Sequence, residues 1–216
     1  MVSKPQMKLI RSLAQKKQRQ KQGLFIVEGI KGINEFLKSS FELHQLYATS
    51  DLFDVEKGMF TEISSAELKQ ISHLETPQDG LAIFKIPKHA ETVQQTKIVA
   101  LDSVRDPGNL GTIIRMCDWF GVERLICSRD TVDCYNPKVV QATMGSLSRI
   151  RVDYMELKDY LRKTSLPVFG TFMDGESIYE TDLPKDYVLV LGNEANGISK
   201  DIEAFCKARI AIPQFG

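Results

Sequence analysis

The stretch from Asp106 to Gly121 combines a turn, a helix start and an arginine, and it follows an apolar run typical of a strand. The turn is Asp106-Pro107-Gly108, in which proline fixes φ and glycine can adopt a positive φ. Asn109 is predicted to be the helix N-cap, because its side chain can accept a hydrogen bond from a free amide of the first turn. In α/β proteins, ligands bind at turns that follow strands, so we expect a ligand site here.

Arg115 lies off the predicted core face of this helix. That face has the i, i+3, i+4, i+7 spacing of an amphipathic helix and consists of Leu110, Ile113, Ile114 and Cys117. At about 100° per residue, Arg115 points away from the core, on a surface shared with Thr112 and Trp119. A solvated charge is the simplest interpretation of such an arginine. A tryptophan beside it favours an interface, because Trp and Arg are enriched at interface centres.

A second glycine-rich segment, Leu189 to Ile198, also follows an apolar run. Gly192 and Gly197 can let the backbone approach a ligand closely, and Glu194 places a carboxylate just past the strand. Taken alone, the segment is equally typical of a tight loop with a surface acid.

The composition is that of a globular protein. The 216 residues are 43% hydrophobic and 26% charged, enough for one large domain or two small ones. The formal net charge is zero, but a basic run precedes the first acid, Glu28. A run of this kind is typical of a solvated helix face and also of a surface that follows RNA phosphates. Its members are Lys4, Lys8, Arg11, Lys16, Lys17, Arg19 and Lys21.

Several classes of protein are not indicated. No apolar run approaches the roughly 18 residues of a membrane span, and the start lacks an apolar signal-peptide core, so we expect a cytoplasmic protein that does not enter a membrane. We also expect no metal site and no disulfide framework, because the cysteines lack Cys-x-x-Cys spacing and the histidines are isolated. The cysteines, expected to be reduced, are Cys117, Cys127, Cys134 and Cys206.

Hydrophobic periodicity predicts two α/β domains, residues 1–88 and 97–216, joined by a polar linker at 89–96. The first domain is predicted to contain the basic helix, strands at 24–27, 43–48 and 80–86, and helices at 30–38 and 64–73. Ser64-x-x-Glu67 has the form of a capping box. In the second, apolar runs alternate with helical segments, which predicts a parallel sheet covered on both faces. These runs are at 98–104, 124–128, 168–172, 187–191 and 209–212.

Three segments together resemble the motifs of the SpoU (TrmH-type) RNA 2′-O-ribose methyltransferases of the SPOUT superfamily. They are Asn109-x-Gly-x-x-x-Arg115, Leu189–Ile198 and Ile210–Pro213. The segment Asn136–Ser146 is similar to the family's region between its first two motifs, although Gln141 stands where an arginine is common. Residues 8–37 resemble the family's amino-terminal substrate-binding domain, which is related to ribosomal RNA-binding proteins.

The resemblance implies S-adenosylmethionine as the methyl donor, a SPOUT domain with a trefoil knot, and a homodimer whose active site lies near the subunit interface. Arg115 corresponds to the family's catalytic arginine, and Asn109 and Glu194 to motif residues that shape the site. Contacts to the cofactor, chiefly through backbone groups, are implied for Thr171, Gly192 and Ile212. No Gly-x-Gly-x-x-Gly fingerprint is present to indicate a nicotinamide enzyme.

The family's third motif continues past Ile-Pro into a further segment and a final helix, which complete the knot and the cofactor pocket. We therefore expect the carboxyl terminus of the methyltransferase domain to be missing from this sequence, with an incomplete knot if the chain ends at Gly216.

The resemblance predicts 2′-O-methylation of a ribose in RNA. Ribosomal RNA is favoured over transfer RNA, because this type of amino-terminal domain recurs in ribosome-directed members. Arg115 can act as a general base or, protonated, as an electrostatic clamp, and the sequence leaves both open. A non-catalytic RNA-binding protein that uses the basic amino-terminal domain is the main alternative. A small-molecule-binding α/β enzyme, with no affinity for RNA, is a third.

Overall fold

The computed structural model describes residues 1–87, 97–122 and 124–214. The predicted linker at 89–96 lies outside the described residues, so the predicted domain boundaries stay a prediction. The described chain divides into two compact units. The first contains residues 1–87 together with Asp133–Arg149, and the second contains the described residues from 97 to 132 and from Ile150 onwards. The segment Asp133–Arg149 thus packs with the amino-terminal residues, although we predicted it within the 97–216 domain.

The elements alternate between helix and strand through most of the chain. Up to residue 87 they are α1 (Lys4–Ser12), α2 (Lys16–Gln22), β1 (Leu24–Glu28), α3 (Ile30–Leu37), β2 (Leu43–Ala48), β3 (Phe60–Glu62), α4 (Ser65–Ile71) and β4 (Gly80–Lys85). From residue 97 they are β5 (Lys97–Leu101), α5 (Pro107–Trp119), β6 (Arg124–Ser128), α6 (Pro137–Ala142), β7 (Arg151–Met155), α7 (Leu157–Lys163), β8 (Val168–Ser177), β9 (Tyr187–Leu191), α8 (Lys200–Glu203) and β10 (Ala208–Ala211).

The first unit is built on a mixed sheet with the strand order β1-β4-β2-β3. The strand β4 is antiparallel to both of its neighbours, while β2 and β3 are parallel. The predicted capping box opens α4: the Ser64 hydroxyl accepts from the Glu67 amide, and the Glu67 carboxylate accepts from the Ser64 amide. The two orphan amides are thereby paired, which fixes where the helix begins.

Asp133–Arg149 is joined to the rest of the first unit by polar and aromatic contacts. The Arg19 side chain, only 1% exposed, donates from Nε to Asp133 Oδ2 at 3.0 Å and from Nη1 to the Leu13 and Ala14 carbonyls at 2.8 Å. The rings of Phe25 and Tyr135 lie 4.6 Å apart. Arg19, counted in the basic run of the sequence, is therefore an interior residue that fixes this segment.

The second unit contains a six-stranded, fully parallel sheet in the order β10-β8-β9-β5-β6-β7. This confirms the predicted α/β fold class. Val99, Ala100 and Leu101 are all buried. Because successive strand residues point to opposite faces, both faces of the sheet are covered. The carboxyl ends of all six strands lie at one edge, which is the edge where such sheets bind ligands.

The pairing of β8 with β10 has a break in register. Arg209 pairs with Gly170, whereas the next residue, Ile210, pairs with Glu176. The five residues 171–175 of β8 therefore have no counterpart on β10. Gly175 lies so close to the Ile210 backbone that a Cβ atom at position 175 would be 2.5 Å from the Ile210 carbonyl carbon. Only glycine fits at this position without moving the backbone.

Among the described helices, none combines the length and the apolar character that crossing a membrane requires.

Candidate functional site

The helix α5 begins at Asp106, which differs from the prediction. Asp106 is the N-cap, and its carboxylate accepts a hydrogen bond from the Asn109 amide at 2.8 Å. Pro107 occupies the first helical position, where its missing N–H costs nothing. The prediction that Asn109 caps the helix was wrong, because Asp106 supplies that group three residues earlier. The Asn109 side chain is consequently free for another partner.

That partner is Glu194, which lies in the loop after β9. Asn109 Nδ2 donates to Glu194 Oε1 at 3.1 Å. The same carboxylate accepts from the Asp106 amide at 3.3 Å, the Arg105 amide at 3.4 Å and Asn193 Nδ2 at 3.2 Å. Desolvation opposes ionisation of Glu194, but the hydrogen bonds outweigh it and lower the pKa of this carboxyl group. With its lone pairs engaged by four donors, Glu194 links two loops and is poorly suited to accept a substrate proton.

Asn193, which was not predicted from the sequence, extends this link. Its Nδ2 also donates to the Ser103 carbonyl at 2.7 Å, and its Oδ1 accepts from the Ala195 and Asn196 amides at 3.0 and 3.1 Å. Asn193 thus shapes its own loop and ties it to the end of β5. Its adjacency to Glu194, between two glycines after a strand, is the signal that could have identified it.

The loop after β5 is held in an unusual conformation by hydrogen bonds between polar groups. Ser103 has a φ of 64°, rare for a residue with a side chain. Its amide donates to Ser128 Oγ at 2.9 Å, and its hydroxyl donates to Asp130 Oδ2 at 2.7 Å. Asp102, only 6% exposed, accepts from the Ser199 amide at 2.8 Å. Asp102 and Ser103 were also not predicted as site residues. Asp102 could have been identified, because a carboxylate just past a strand was the pattern that indicated Glu194.

Arg115 has the predicted position on α5. Arg115 and Thr112 are exposed, while Ile114 and Cys117 on the opposite face are buried. Within the described residues, the Arg115 side chain has no hydrogen bond or ion pair. The neighbouring exposed side chains are large and apolar: Trp119 is 86% exposed, Phe120 69% and Met116 53%. Arg115 is therefore presented with free donors beside an apolar surface.

The residues expected to contact a cofactor lie on or directly after three adjacent strands. Gly192 and Ile212 follow β9 and β10, whereas Thr171 lies within β8, in the stretch 171–175 that has no counterpart on β10. Thr171 Oγ1 donates to the Val190 carbonyl at 3.2 Å. A Cβ atom at Gly192 would lie 2.2 Å from the Gly197 carbonyl carbon, so tight closure of the loop accounts for this glycine. Gly197 has a φ of 65°, in the left-handed region that favours glycine, which accounts for the second glycine of this loop.

Ile212 borders an open cavity of about 310 Å³ at the end of β8 and β10. Its wall consists of main chain and uncharged side chains, namely those of Met173, Gly175, Ser177, Ala211, Ile212, Pro213 and Gln214. Thr171 and Gly192 do not line this cavity. The exposed side chains of Met173 and Ile212, at 97% and 77%, offer apolar surface to a ligand.

Neither nucleophilic cysteine chemistry nor a metal site is indicated in the described residues. Burial raises the pKa of Cys117 to about 12, and burial also raises that of Cys206, to about 11. Since the thiolate is the reactive form, these thiols are poor nucleophiles near neutral pH. In the part of the chain that the structure describes, no group of three or more His, Cys, Asp or Glu side chains is placed to hold a metal ion.

Comparison with known proteins places both parts of the chain in sequence families. Residues 96–216 match the SpoU rRNA methylase family, and residues 4–82 match the MRM3-like substrate binding domain.

Relatives of known sequence and structure match over nearly the whole chain. The 23S rRNA (guanosine(2553)-2′-O)-methyltransferase RlmP of Bacillus subtilis is 27% identical over 95% of this chain and 86% of its own. A TrmH-family structure from Porphyromonas gingivalis has a TM-score of 0.92 and 36% identity, covering 100% of this chain and 90% of that one. An AdoMet-bound rRNA methyltransferase from Sinorhizobium meliloti has a TM-score of 0.87 and 30% identity, covering 100% and 88%.

Proposed function

The chain belongs to the SpoU rRNA methylase family, and from that premise we propose that it transfers the methyl group of S-adenosylmethionine to a ribose 2′-hydroxyl of ribosomal RNA. The main structural support is the hydrogen bond between Asn109 and Glu194. It joins the first two family motifs at the ligand-binding edge of the parallel sheet, on the helix that presents Arg115. The RlmP relative methylates 23S rRNA by name, which favours ribosomal RNA as the substrate here.

The predicted cofactor-contact residues on β8 and directly after β9 and β10 suit S-adenosylmethionine. The cavity beside Ile212 is large enough for part of a nucleoside, and its wall offers the apolar surface that an adenine ring prefers. We propose that main-chain groups of Thr171, Gly192 and Ile212 hold the adenine and ribose. When bound, S-adenosylmethionine supplies an electrophilic methyl carbon on a positively charged sulfur.

Arg115 is proposed as the catalytic residue that positions the substrate. The reaction would join the ribose oxygen to the methyl carbon as the carbon–sulfur bond breaks to leave S-adenosylhomocysteine, and the hydroxyl proton would be released to solvent. A guanidinium is not deprotonated in proteins, so a cationic role is favoured over proton abstraction. Its planar set of donors suits a phosphate oxygen next to the target ribose, or the oxygen on which negative charge develops. Holding that oxygen in line with the methyl carbon would supply much of the rate increase.

The basic run of the first unit is proposed to bind RNA phosphates. Arg19 is buried and cannot contribute to this surface. The other six members of the basic run are exposed: Lys4, Lys8, Arg11, Lys16, Lys17 and Lys21. A cationic helical surface of this kind releases counterions from RNA and binds it without strong sequence preference. The same surface would serve a non-catalytic RNA-binding protein, but family membership favours the methyltransferase.

We further propose a homodimer, a trefoil knot in the second unit and a cytoplasmic location. Trp119, Phe120 and Met116 support the homodimer, because contiguous exposed apolar side chains mark interaction surfaces. Their position next to Arg115 would bring the subunit interface to the active site. The knot is supported by family membership, and the location by bacterial relatives such as RlmP of Bacillus subtilis.

Labelled methyl transfer tests the proposed function. Full-length protein would be incubated with S-[methyl-³H]adenosylmethionine and deproteinised ribosomal RNA, and the modified position mapped through its resistance to alkaline cleavage. We expect incorporation at a 2′-O position. Transfer to transfer RNA alone, or to a base nitrogen, would contradict the assigned substrate or reaction. Binding of RNA without incorporation would favour the non-catalytic alternative.

A further inference from the structure

A second cavity, of about 140 Å³, lies within the first unit. It is bordered by the start of α3, by Gln78 before β4, and by the segment from Val140 to Gly145. A space of about 10–15 Å³ is enough for one water molecule, so this cavity can admit a group of many atoms. The proposed methyl transfer makes no use of it.

Two side-chain amides of the lining are available to a ligand. Gln78 and Gln141 both border it, and neither side-chain amide makes a hydrogen bond within the described residues. Gln78 Oε1 lies 2.8 Å from the position that a Cβ on Gly29 would occupy, so its amide is at the cavity wall. Two amides can offer donors and acceptors together, the combination found on the edge of a nucleobase.

The remaining lining complements a nucleotide. Val27, Phe36 and Val140 supply apolar wall, and Lys31 is an exposed cation at the border without an ion pair in the described chain. Glu28 also borders the cavity, but its two carboxylate oxygens accept from Ser72 Oγ and the His73 amide.

The backbone around the cavity is held in rare conformations. Asp79, next to Gln78, has a φ of 31°, and Met144 has a φ of 53°. They are two of the three residues with a side chain and a positive φ in the described chain, the third being Ser103 at the candidate active site. Strained backbone of this kind concentrates at ligand and catalytic sites.

We propose that this cavity binds an unpaired base of the RNA substrate, with the amides of Gln78 and Gln141 contacting the edge of the base and Lys31 contacting a phosphate. The inference rests on the proposed function, since it takes RNA as the substrate. RNA is recognised mainly through unpaired bases that are splayed out of the strand and hydrogen-bonded along their edges.

Binding of fluorescein-labelled oligoadenylate, oligocytidylate and oligouridylate to the full chain, followed by anisotropy, tests the proposal. The wild type is expected to prefer one oligomer. Gln78→Ala and Gln141→Ala should each weaken binding of that oligomer about tenfold and reduce the preference. Lys31→Ala should weaken all three oligomers alike and reduce the slope of log K against log salt by about one.

Two matched variants distinguish the loss of a base contact from an effect on folding. Gln70→Ala removes the same side chain from an exposed position on α4 that does not border the cavity, and it should bind like wild type. Gln141→Leu keeps the side-chain volume and removes the amide, so it should lose the preference while keeping the wild-type melting temperature.

Two outcomes would overturn the proposal: equal binding of the three oligomers by the wild type, and unchanged affinity and preference in Gln78→Ala and Gln141→Ala. Methyl incorporation into ribosomal RNA, measured in parallel, separates the two proposals. Wild-type incorporation that the glutamine variants retain at low RNA concentration would refute the base site and leave the methyltransferase assignment standing. An oligomer preference that depends on the two glutamines, without any methyl incorporation, would support the base site and refute the methyltransferase assignment.

Discussion

Asn109 and Glu194, which are 85 positions apart in the chain, are joined by a hydrogen bond of 3.1 Å from side-chain amide to carboxylate. Through it the first turn of α5 and the loop after β9 form one structure, and Arg115 is carried on that helix. The carboxylate accepts from four donors, so its contribution lies in fixing these loops.

Replacing Glu194 by glutamine should impair catalysis, because the two loops that the carboxylate fixes would be held less firmly. The new NH₂ group would replace one carboxylate oxygen and would face two donors there, either the Asp106 amide and Asn109 Nδ2 or the Arg105 amide and Asn193 Nδ2. We expect kcat/KM for methyl transfer to fall at least about tenfold, because a small misplacement of reacting groups is costly. Glu180→Gln, at an exposed position of the second unit, is the control. Full activity in Glu194→Gln would show that the carboxylate is dispensable.

The same carboxylate should make the stability of the second unit depend on pH. The pKa of Glu194 is lowered below its ordinary value of 4.5 in the folded chain. A lowered pKa gives stability that is present above the unfolded value and is lost as pH falls through the folded value. The melting temperature of the wild type should therefore exceed that of Glu194→Gln at pH 7, and the gap should narrow as pH falls below 4.5. A gap that stays constant down to pH 2 would contradict this.

Arg115→Ala should lower kcat by about a hundredfold or more, the usual loss when a group that stabilises developing charge is removed. Affinity for S-adenosylmethionine, measured by calorimetry, should be nearly unchanged. Arg115→Lys distinguishes the two roles, because lysine is more easily deprotonated but lacks the planar fork. A clamp predicts an inactive lysine variant, whereas retained activity would favour proton abstraction. Arg162→Ala, on the exposed side of α7, serves as the control.

Trp119→Glu should convert a dimer into a monomer in light scattering at micromolar concentration. The side chain is 86% exposed, so the substitution should leave the fold of the subunit intact, while a charge in an apolar interface opposes association. Leu52→Glu, at an apolar position of the first unit that is 43% exposed, should remain a dimer. A monomeric wild type would refute the homodimer itself.

Arg19→Ala should destabilise the first unit by about 3–5 kcal/mol, since removing one member of a buried ion pair leaves the other charge without a partner. The side chain is 1% exposed, and it joins Asp133 to the carbonyls that follow α1. Denaturant unfolding measures the effect. Lys17→Ala, two positions away on the exposed face of α2, should change stability by no more than about 0.5 kcal/mol.

Local patterns in the sequence were sufficient to predict most elements of the fold. The strands Arg124–Ser128 and Tyr187–Leu191 have the predicted bounds, and the Ser64 capping box is present. The strand Arg151–Met155 was missed, because Val152 is its only fully buried residue and the apolar run is short. The N-cap of α5 was misplaced because Asp106 and Asn109 are both good capping residues, and local propensity does not choose between them.

Contacts between distant residues were beyond the reach of such patterns. The exposed position of Arg115 follows from helical periodicity, but its lack of an ion pair within the described residues does not. The bond between Asn109 and Glu194 depends on the strand order, in which β9 lies next to β5. Arg19 looked like one cation in a solvated run, because its acidic partner is 114 positions away.

The membership of Asp133–Arg149 in the first unit bears on how such proteins can be recombined. This segment lies inside the stretch that matches the SpoU rRNA methylase family, residues 96–216, yet it packs with the amino-terminal residues. A crossover at residues 89–96 alone would pair a foreign amino-terminal unit with a segment shaped for the original one. Exchange of substrate-binding units between relatives therefore requires the transfer of two separate stretches of sequence. Because the second stretch lies within the methyltransferase region, we expect the two units to be inherited together.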